Sequence, residues 1–191
     1  MTPAFDDENV VCRRTVTTHE YLYDTGESNL KRELMYGRLR EPAAPYFAYQ
    51  ELVLRIAMLL RKHADSRDLG VVAIAPLDVI LDPAANLVVQ PDVLFVAKER
   101  RPIIRNQVWG APDLVVEVLS LGTERRDRLD KIALYRQYGV RECWLVDFVE
   151  TALLIHDFTG PHPSERRARG IDSVRSTVLP ELQTSGFGIF S

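Results

Sequence analysis

Three residues combine a chemically able side chain with surroundings that leave it without water: Asp92 in "QPDVLFV", Glu117 in "DLVVEVLS" and Lys131 in "RRDRLDKIALYRQYG". Val115, Val116, Val118 and Leu119 flank Glu117. A run apolar at both odd and even positions is expected of a strand covered on both faces. An ionised carboxylate in such a strand costs several kcal/mol unless something compensates it. One remedy is an ion pair with an arginine on a shorter or edge strand. Another is a cation shared with a second acid, and Asp92 is such an acid in a second strand of interior character. If the two strands are neighbours, two buried negative charges face each other, and a divalent metal bound by carboxylate oxygens is the economical answer.

Lys131 falls on the helix expected to follow the Glu117 strand. At about 100° per residue its neighbours round the helix are Tyr135 and Tyr138, which puts it on the arc facing the sheet. A lone lysine on a helix flank commonly snorkels to solvent. A lysine and two acids that each lack a partner explain one another instead. Two carboxylates holding Mg²⁺ (or Mn²⁺) with a lysine close by is chemistry for phosphodiester hydrolysis. The metal acidifies water and offsets transition-state charge, and the lysine orients or helps deprotonate the attacking water.

The elements that must position these groups can be read from periodicity. Thr17 and Thr18 can cap a short helix at 18–23 that breaks at Gly26, and two short strands meet at Gly37. Leu52, Ile56, Leu59 and Leu60 mark a helix over 46–63. "VVAIAPLDVIL" and "NLVVQPDVLFV" read as a hairpin-like pair of strands across "DPAAN", followed by a basic loop at 98–110. The Glu117 strand, a helix closed by Gly139 and the strand "ECWLVD" form a parallel crossover. "TALLIHDF" should pair antiparallel beside it, "GPHPSERRARG" reads as a polar loop, and one more strand closes the chain.

At 191 residues and 46% hydrophobic the chain suits one domain over 1–191. A net charge of −3 excludes the strongly basic class that coats nucleic acid without specificity. Cys12 and Cys143 are far apart and the four histidines lack ligand spacing, so no disulfide framework or zinc knuckle is expected. No apolar run nears the roughly 20 residues that span a bilayer, and the acidic N-terminus lacks a signal-peptide core. A cytoplasmic protein is expected.

The strings "QPDVLFV", "APDLVVEVLS" and "RRDRLDKIALYRQYGVRECWLVD" together resemble the PD-(D/E)XK nuclease superfamily and, within it, the Uma-type restriction endonuclease family. The likeness runs from "TTHEYL" to the final strand and is strongest over 90–147. It implies a restriction-endonuclease-like α/β (α+β) fold, a mixed central sheet flanked by helices, and a metal-dependent DNA endonuclease. Carried over by residue, it makes Asp92 and Glu117 metal ligands together with the carbonyl of Val118. Lys131 becomes the catalytic lysine and Glu33 of "RELMYG" an N-terminal acid near the site. Leu119 stands where the superfamily has its lysine, so Lys131 on the next helix would do that work. Tyr49 replaces a frequent histidine and Leu121 a usual proline.

Arg125, Arg126 and Arg128 after the Glu117 strand, and Lys98, Arg100, Arg101 and Arg105 before it, could meet DNA phosphates. They equally suit solvated loop charges among Glu99, Glu124 and Asp127. Cutting both strands of a duplex implies a homodimer. The rival reading is a noncatalytic nucleic-acid-binding or regulatory module that keeps the fold. Lys131→Met, which keeps much of the stem and deletes the charge, should be inactive and at least as stable as the parent, because an ammonium no longer has to be desolvated.

Overall fold

The structure, a computed structural model, describes residues 10–12, 14–24, 30–119 and 124–191, with the backbone alone for 124–129. Its strands are β1 (Glu33–Met35), β2 (Arg38–Arg40), β3 (Gly70–Ile74), β4 (Val79–Asp82), β5 (Leu87–Val89), β6 (Val93–Ala97), β7 (Val108–Trp109), β8 (Leu114–Leu119), β9 (Glu142–Asp147), β10 (Ala152–Asp157), β11 (Ser164–Arg169), β12 (Ser173–Val174) and β13 (Thr184–Ser185). The α-helices are α1 (Phe47–Ser66), α2 (Glu124–Gln137) and α3 (Gly186–Phe190). Six strands form a mixed sheet in the order β11-β10-β9-β8-β6-β3, and five more form a second sheet in the order β2-β1-β5-β4-β7.

The two β-branched runs around "DPAAN" pair as expected, but each is broken by a proline. Pro76 separates β3 from β4, and Pro91 separates β5 from β6. Proline cannot donate to a ladder, so a paired strand bends or ends there. The breaks lie side by side, with Ala75 N–H donating to the Asp92 carbonyl at 3.1 Å. One hairpin thus serves two sheets. Its β3–β6 half belongs to the large sheet and its β4–β5 half to the small one.

β8 is buried over all six residues, as its unbroken apolar character requires. Val116 and Val118 pack with Phe95, Trp144 and the Leu52, Val53, Ile56 and Leu60 side of α1. The opposite face carries Val115, which packs with Leu94, Cys143, Leu134 and Tyr135 of α2 and Met35 and Val89 of the small sheet. By strand alternation Glu117 shares this second face. β8 and β9 are parallel, joined through α2, and β10 returns antiparallel to β9. Gly139, at φ +92°, ends α2, with Val140 N–H donating to the Tyr135 carbonyl.

The tight turn at Gly37 is present, with Tyr36 and Gly37 both at positive φ. The helix after Thr17 spans residues 18–24, its last five residues wound as a π-helix. Thr17 and Glu20 cap it reciprocally through Glu20 N–H to Thr17 Oγ1 and Thr17 N–H to Glu20 Oε2. Gly26 lies outside the described residues. Three expectations change. The basic stretch at 98–110 is a 3-10 helix over Lys98–Ile103 and the short strand β7. "SERRAR" is the edge strand β11, in which only Ala168 is buried; a charged edge lacks the alternation that signals a strand and also resists edge-to-edge association. The final segment holds β12, β13 and α3 rather than one strand. No helix among the described residues is long and apolar enough to cross a membrane.

Candidate active site

β6 and β8 are antiparallel neighbours with Val93 opposite Val116, so continuing the register by one residue sets Asp92 across from Glu117. Asp92 Oδ2 accepts the Val118 N–H at 2.7 Å. In an extended strand a residue's N–H and C=O point to the same side. The Val118 carbonyl therefore turns toward the Asp92 flank, past the last β6–β8 pair.

Lys131 reaches the sheet from α2. Its Nζ donates to Glu33 Oε1 at 2.6 Å and to Glu117 Oε1 at 3.4 Å, with only 4% of the lysine side chain exposed. Tyr135, one turn further along α2, donates its hydroxyl to Glu117 Oε1 at 2.5 Å. Glu33 stands on β1, whose partner β5 leads into Gln90; the Gln90 N–H donates to Glu33 Oε1 at 3.0 Å. Gln90 in turn donates its side-chain amide to Asp78 and accepts the Arg32 N–H. The four sequence candidates Asp92, Glu117, Lys131 and Glu33, which span 98 positions, thus meet in one buried cluster.

Two members were not singled out from the sequence. Lys31 Nζ lies 2.7 Å from Asp92 Oδ1. Nothing in "NLKRELM" marks it, because only the pairing of β1 with β5 carries it to the Asp92 end of the hairpin. Tyr135 had a readable signal: it sits four residues after Lys131 on the same helical face.

The charges settle one another. Burial alone would lower the Lys131 pKa, but the carboxylates of Glu117 and Glu33 outweigh it and hold the ammonium above its ordinary value. Lys31 is treated the same way, with Asp92 as the foremost of its carboxylate partners. Burial would raise Glu33, but Lys131 and then Lys31 hold it below the usual carboxylate value. Burial, then Glu117, pushes the Tyr135 phenol well up, so it serves as a neutral donor. Of the two roles open to Lys131, proton abstraction is thereby disfavoured and donation to an oxygen favoured.

Lysines within the chain therefore supply much of the countercharge for which a metal looked necessary. One atom is left over: Glu117 Oε2 is buried and has no hydrogen-bond partner among the described residues. Also among the described residues, no three His, Cys, Asp or Glu side chains converge as a metal cage. An ion here would rest on Asp92, Glu117, the Val118 carbonyl and water, a donor set of the kind Mg²⁺ commonly takes. The all-oxygen set and the unpartnered carboxylate oxygen fit such an ion.

The side chains of Arg125, Arg126 and Arg128 lie outside the described residues. The basic residues before β8 are engaged locally: Lys98 pairs with Asp68, Arg100 with the buried Asp113, and Arg105 stacks over Trp109.

Fold and site together define a restriction-endonuclease-like α/β protein, in which a mixed sheet presents paired acids to a lysine on the crossover helix. A family model described as "Uma2: Putative restriction endonuclease" matches residues 19–185, and the chain belongs to that family. Among solved structures it is similar to a "putative nuclease belonging to DUF820" from Anabaena variabilis, with a TM-score of 0.77 at 17% identity, covering 92% of this chain and 97% of that one. That likeness speaks to the fold. A search of curated proteins finds no match.

Proposed function

We propose that the chain acts, as a single cytoplasmic nuclease domain over residues 1–191, as a Mg²⁺-dependent endonuclease that hydrolyses phosphodiester bonds in DNA, with Mn²⁺ able to substitute. The observation that carries this reading is the buried meeting of Asp92, Glu117 and Lys131 with one Glu117 oxygen left unpartnered. Family membership supports it. Asp92, Glu117 and the Val118 carbonyl would hold the ion, whose contribution when bound is a more acidic water and offset phosphoryl charge. Within the chain, the Val118 N–H fixes the Asp92 carboxylate, Tyr135 fixes Glu117, and Lys131 donates toward oxygen that gains charge in the transition state. Arg125, Arg126 and Arg128 are proposed to meet DNA phosphates.

The rival reading, a noncatalytic binding or regulatory module, draws on Leu119 at the superfamily's lysine position and on the ion pairs that already occupy both lysines. Incubation of supercoiled plasmid with Mg²⁺ or Mn²⁺ separates the two. The wild type is expected to nick it, and Asp92→Ala to lower the rate on the order of 10³-fold. Equal nicking by both proteins would remove the assignment.

We further propose a homodimer through α1. Phe47, Leu54 and Met58 recur at intervals of seven and four along one helical face and are 83%, 53% and 64% exposed. An antiparallel pair of α1 helices, with its two-fold at the level midway between Leu54 and Met58, sets Leu54 against Met58 of a second copy. The same register sets Glu51 against Arg61 of that copy, so the interface is self-complementary in charge. In sedimentation velocity the wild type should run as a dimer, Glu51→Arg and Arg61→Glu singly as monomers, and the double exchange as a dimer again. A monomeric wild type removes the interface.

A further inference from the structure

Lys31 is the cation of the cluster that the proposed reaction leaves without a task. Its ammonium sits 2.7 Å from Asp92 Oδ1, where an ion bound by Asp92 and Glu117 would also have to lie. Magnesium approaches its oxygens at about 2.0–2.1 Å, and two cations cannot crowd one carboxylate oxygen in a water-poor cleft without strong repulsion.

Charge and exposure decide which group moves. Among the described residues the cluster has three carboxylates, Glu33, Asp92 and Glu117, and two ammonium groups, Lys31 and Lys131. Counted over these five groups alone, it is short of one positive charge. Adding a divalent cation would turn that into an excess of one, whereas exchanging it for one lysine makes the cluster neutral. Lys131 is clasped by two carboxylates and shut away from water. Lys31 holds one carboxylate at ion-pair distance and keeps 23% of its side chain in solvent. Lys31 is thus the one of the two lysines whose side chain borders solvent.

We propose that Lys31 is a built-in counter-ion, which holds Asp92 in the metal-free site and yields that position when a divalent cation binds. The inference rests on the metal-dependent reading above and gives it a regulator. The apparent metal affinity is the intrinsic affinity scaled by the fraction of molecules in which Asp92 is free of Lys31. If Lys31 holds Asp92 in about nine molecules of ten, that affinity is weakened about tenfold.

The test is calorimetric titration with Mn²⁺ of the wild type, Lys31→Met, Lys31→Arg and Asp92→Ala, paired with amine acetylation of the wild type followed by peptide mapping. Lys31→Met is expected to bind Mn²⁺ about tenfold more tightly than the wild type, Lys31→Arg to resemble the wild type, and Asp92→Ala to lose the site. In the wild type, saturating Mn²⁺ should raise acetylation of Lys31 several-fold and leave Lys131 protected. Acetylation of Lys31 that does not rise while Mn²⁺ binds overturns the proposal, whatever the affinity of Lys31→Met, and leaves the metal-dependent reading standing. The acetylation arm decides the matter alone should Lys31→Met fail to fold. Absence of Mn²⁺ binding in every protein overturns the proposal together with the metal-dependent reading.

Discussion

Lys131→Met is expected to lower the free energy of unfolding by about 3–5 kcal/mol, because it strands the buried Glu33 and Glu117 carboxylates. This reverses the sequence-based expectation that Lys131→Met is at least as stable as the parent, because Lys131 pairs with two buried acids. Were Lys131 alone in the core, deleting its charge would remove a desolvation cost; as the counter-ion of two acids it offsets theirs. Urea unfolding at neutral pH measures the difference. Adding Glu33→Gln to Lys131→Met should recover part of the loss, since one stranded charge is then gone, while DNA cleavage stays absent. The pH dependence has a definite sign. Glu33 has a folded pKa below its ordinary 4.5, so its contribution is present above about 4.5 and lost as pH falls through the lowered value. Lys131 has a folded pKa above its ordinary 10.5, so its contribution is present below about 10.5 and lost as pH rises through the raised value. The gap between wild type and Lys131→Met should therefore be widest across the neutral range and close toward acid. A gap under about 1 kcal/mol at pH 7 would mean that the cluster reorganises without its lysine.

Glu117→Gln should show the opposite division between stability and activity. The amide keeps the size of the carboxylate and an oxygen for the Tyr135 hydroxyl, and Glu33 remains to pair Lys131. Stability is expected to stay within about 1 kcal/mol of the wild type, or to rise, because a buried charge with one unpartnered oxygen has been neutralised. Cleavage of supercoiled plasmid should nevertheless fall on the order of 10³-fold, since an uncharged ligand neither holds a divalent ion well nor balances the cluster. Thermal melts and nicking assays on one preparation give both numbers. An active Glu117→Gln protein would remove Glu117 from the chemistry, and an unfolded one would show that the carboxylate is a structural requirement.

The local sequence determined much of this protein. The doubly apolar run around Glu117 required a strand covered on both faces, and β8 is covered by α1 on one side and by α2 and the small sheet on the other. Helical spacing placed Lys131 on the sheet-facing arc of α2, where it pairs with Glu117 fourteen positions away. Gly37 and Gly139 marked chain reversals because glycine adopts positive φ readily. Such features are local, set by the period of a helix or strand or by one backbone angle. Tertiary structure decided the rest. The prolines at 76 and 91 divide runs that read in the sequence as single strands, and only strand pairing shows that the breaks align and send one hairpin into two sheets. Lys31 meets Asp92 across 61 positions and Glu33 meets Lys131 across 98, because β1 pairs with β5 and α2 lies over β8. Sequence periodicity tells which face of an element is buried, whereas the partner of a buried charge is set by register between distant strands, which no spacing within the chain encodes.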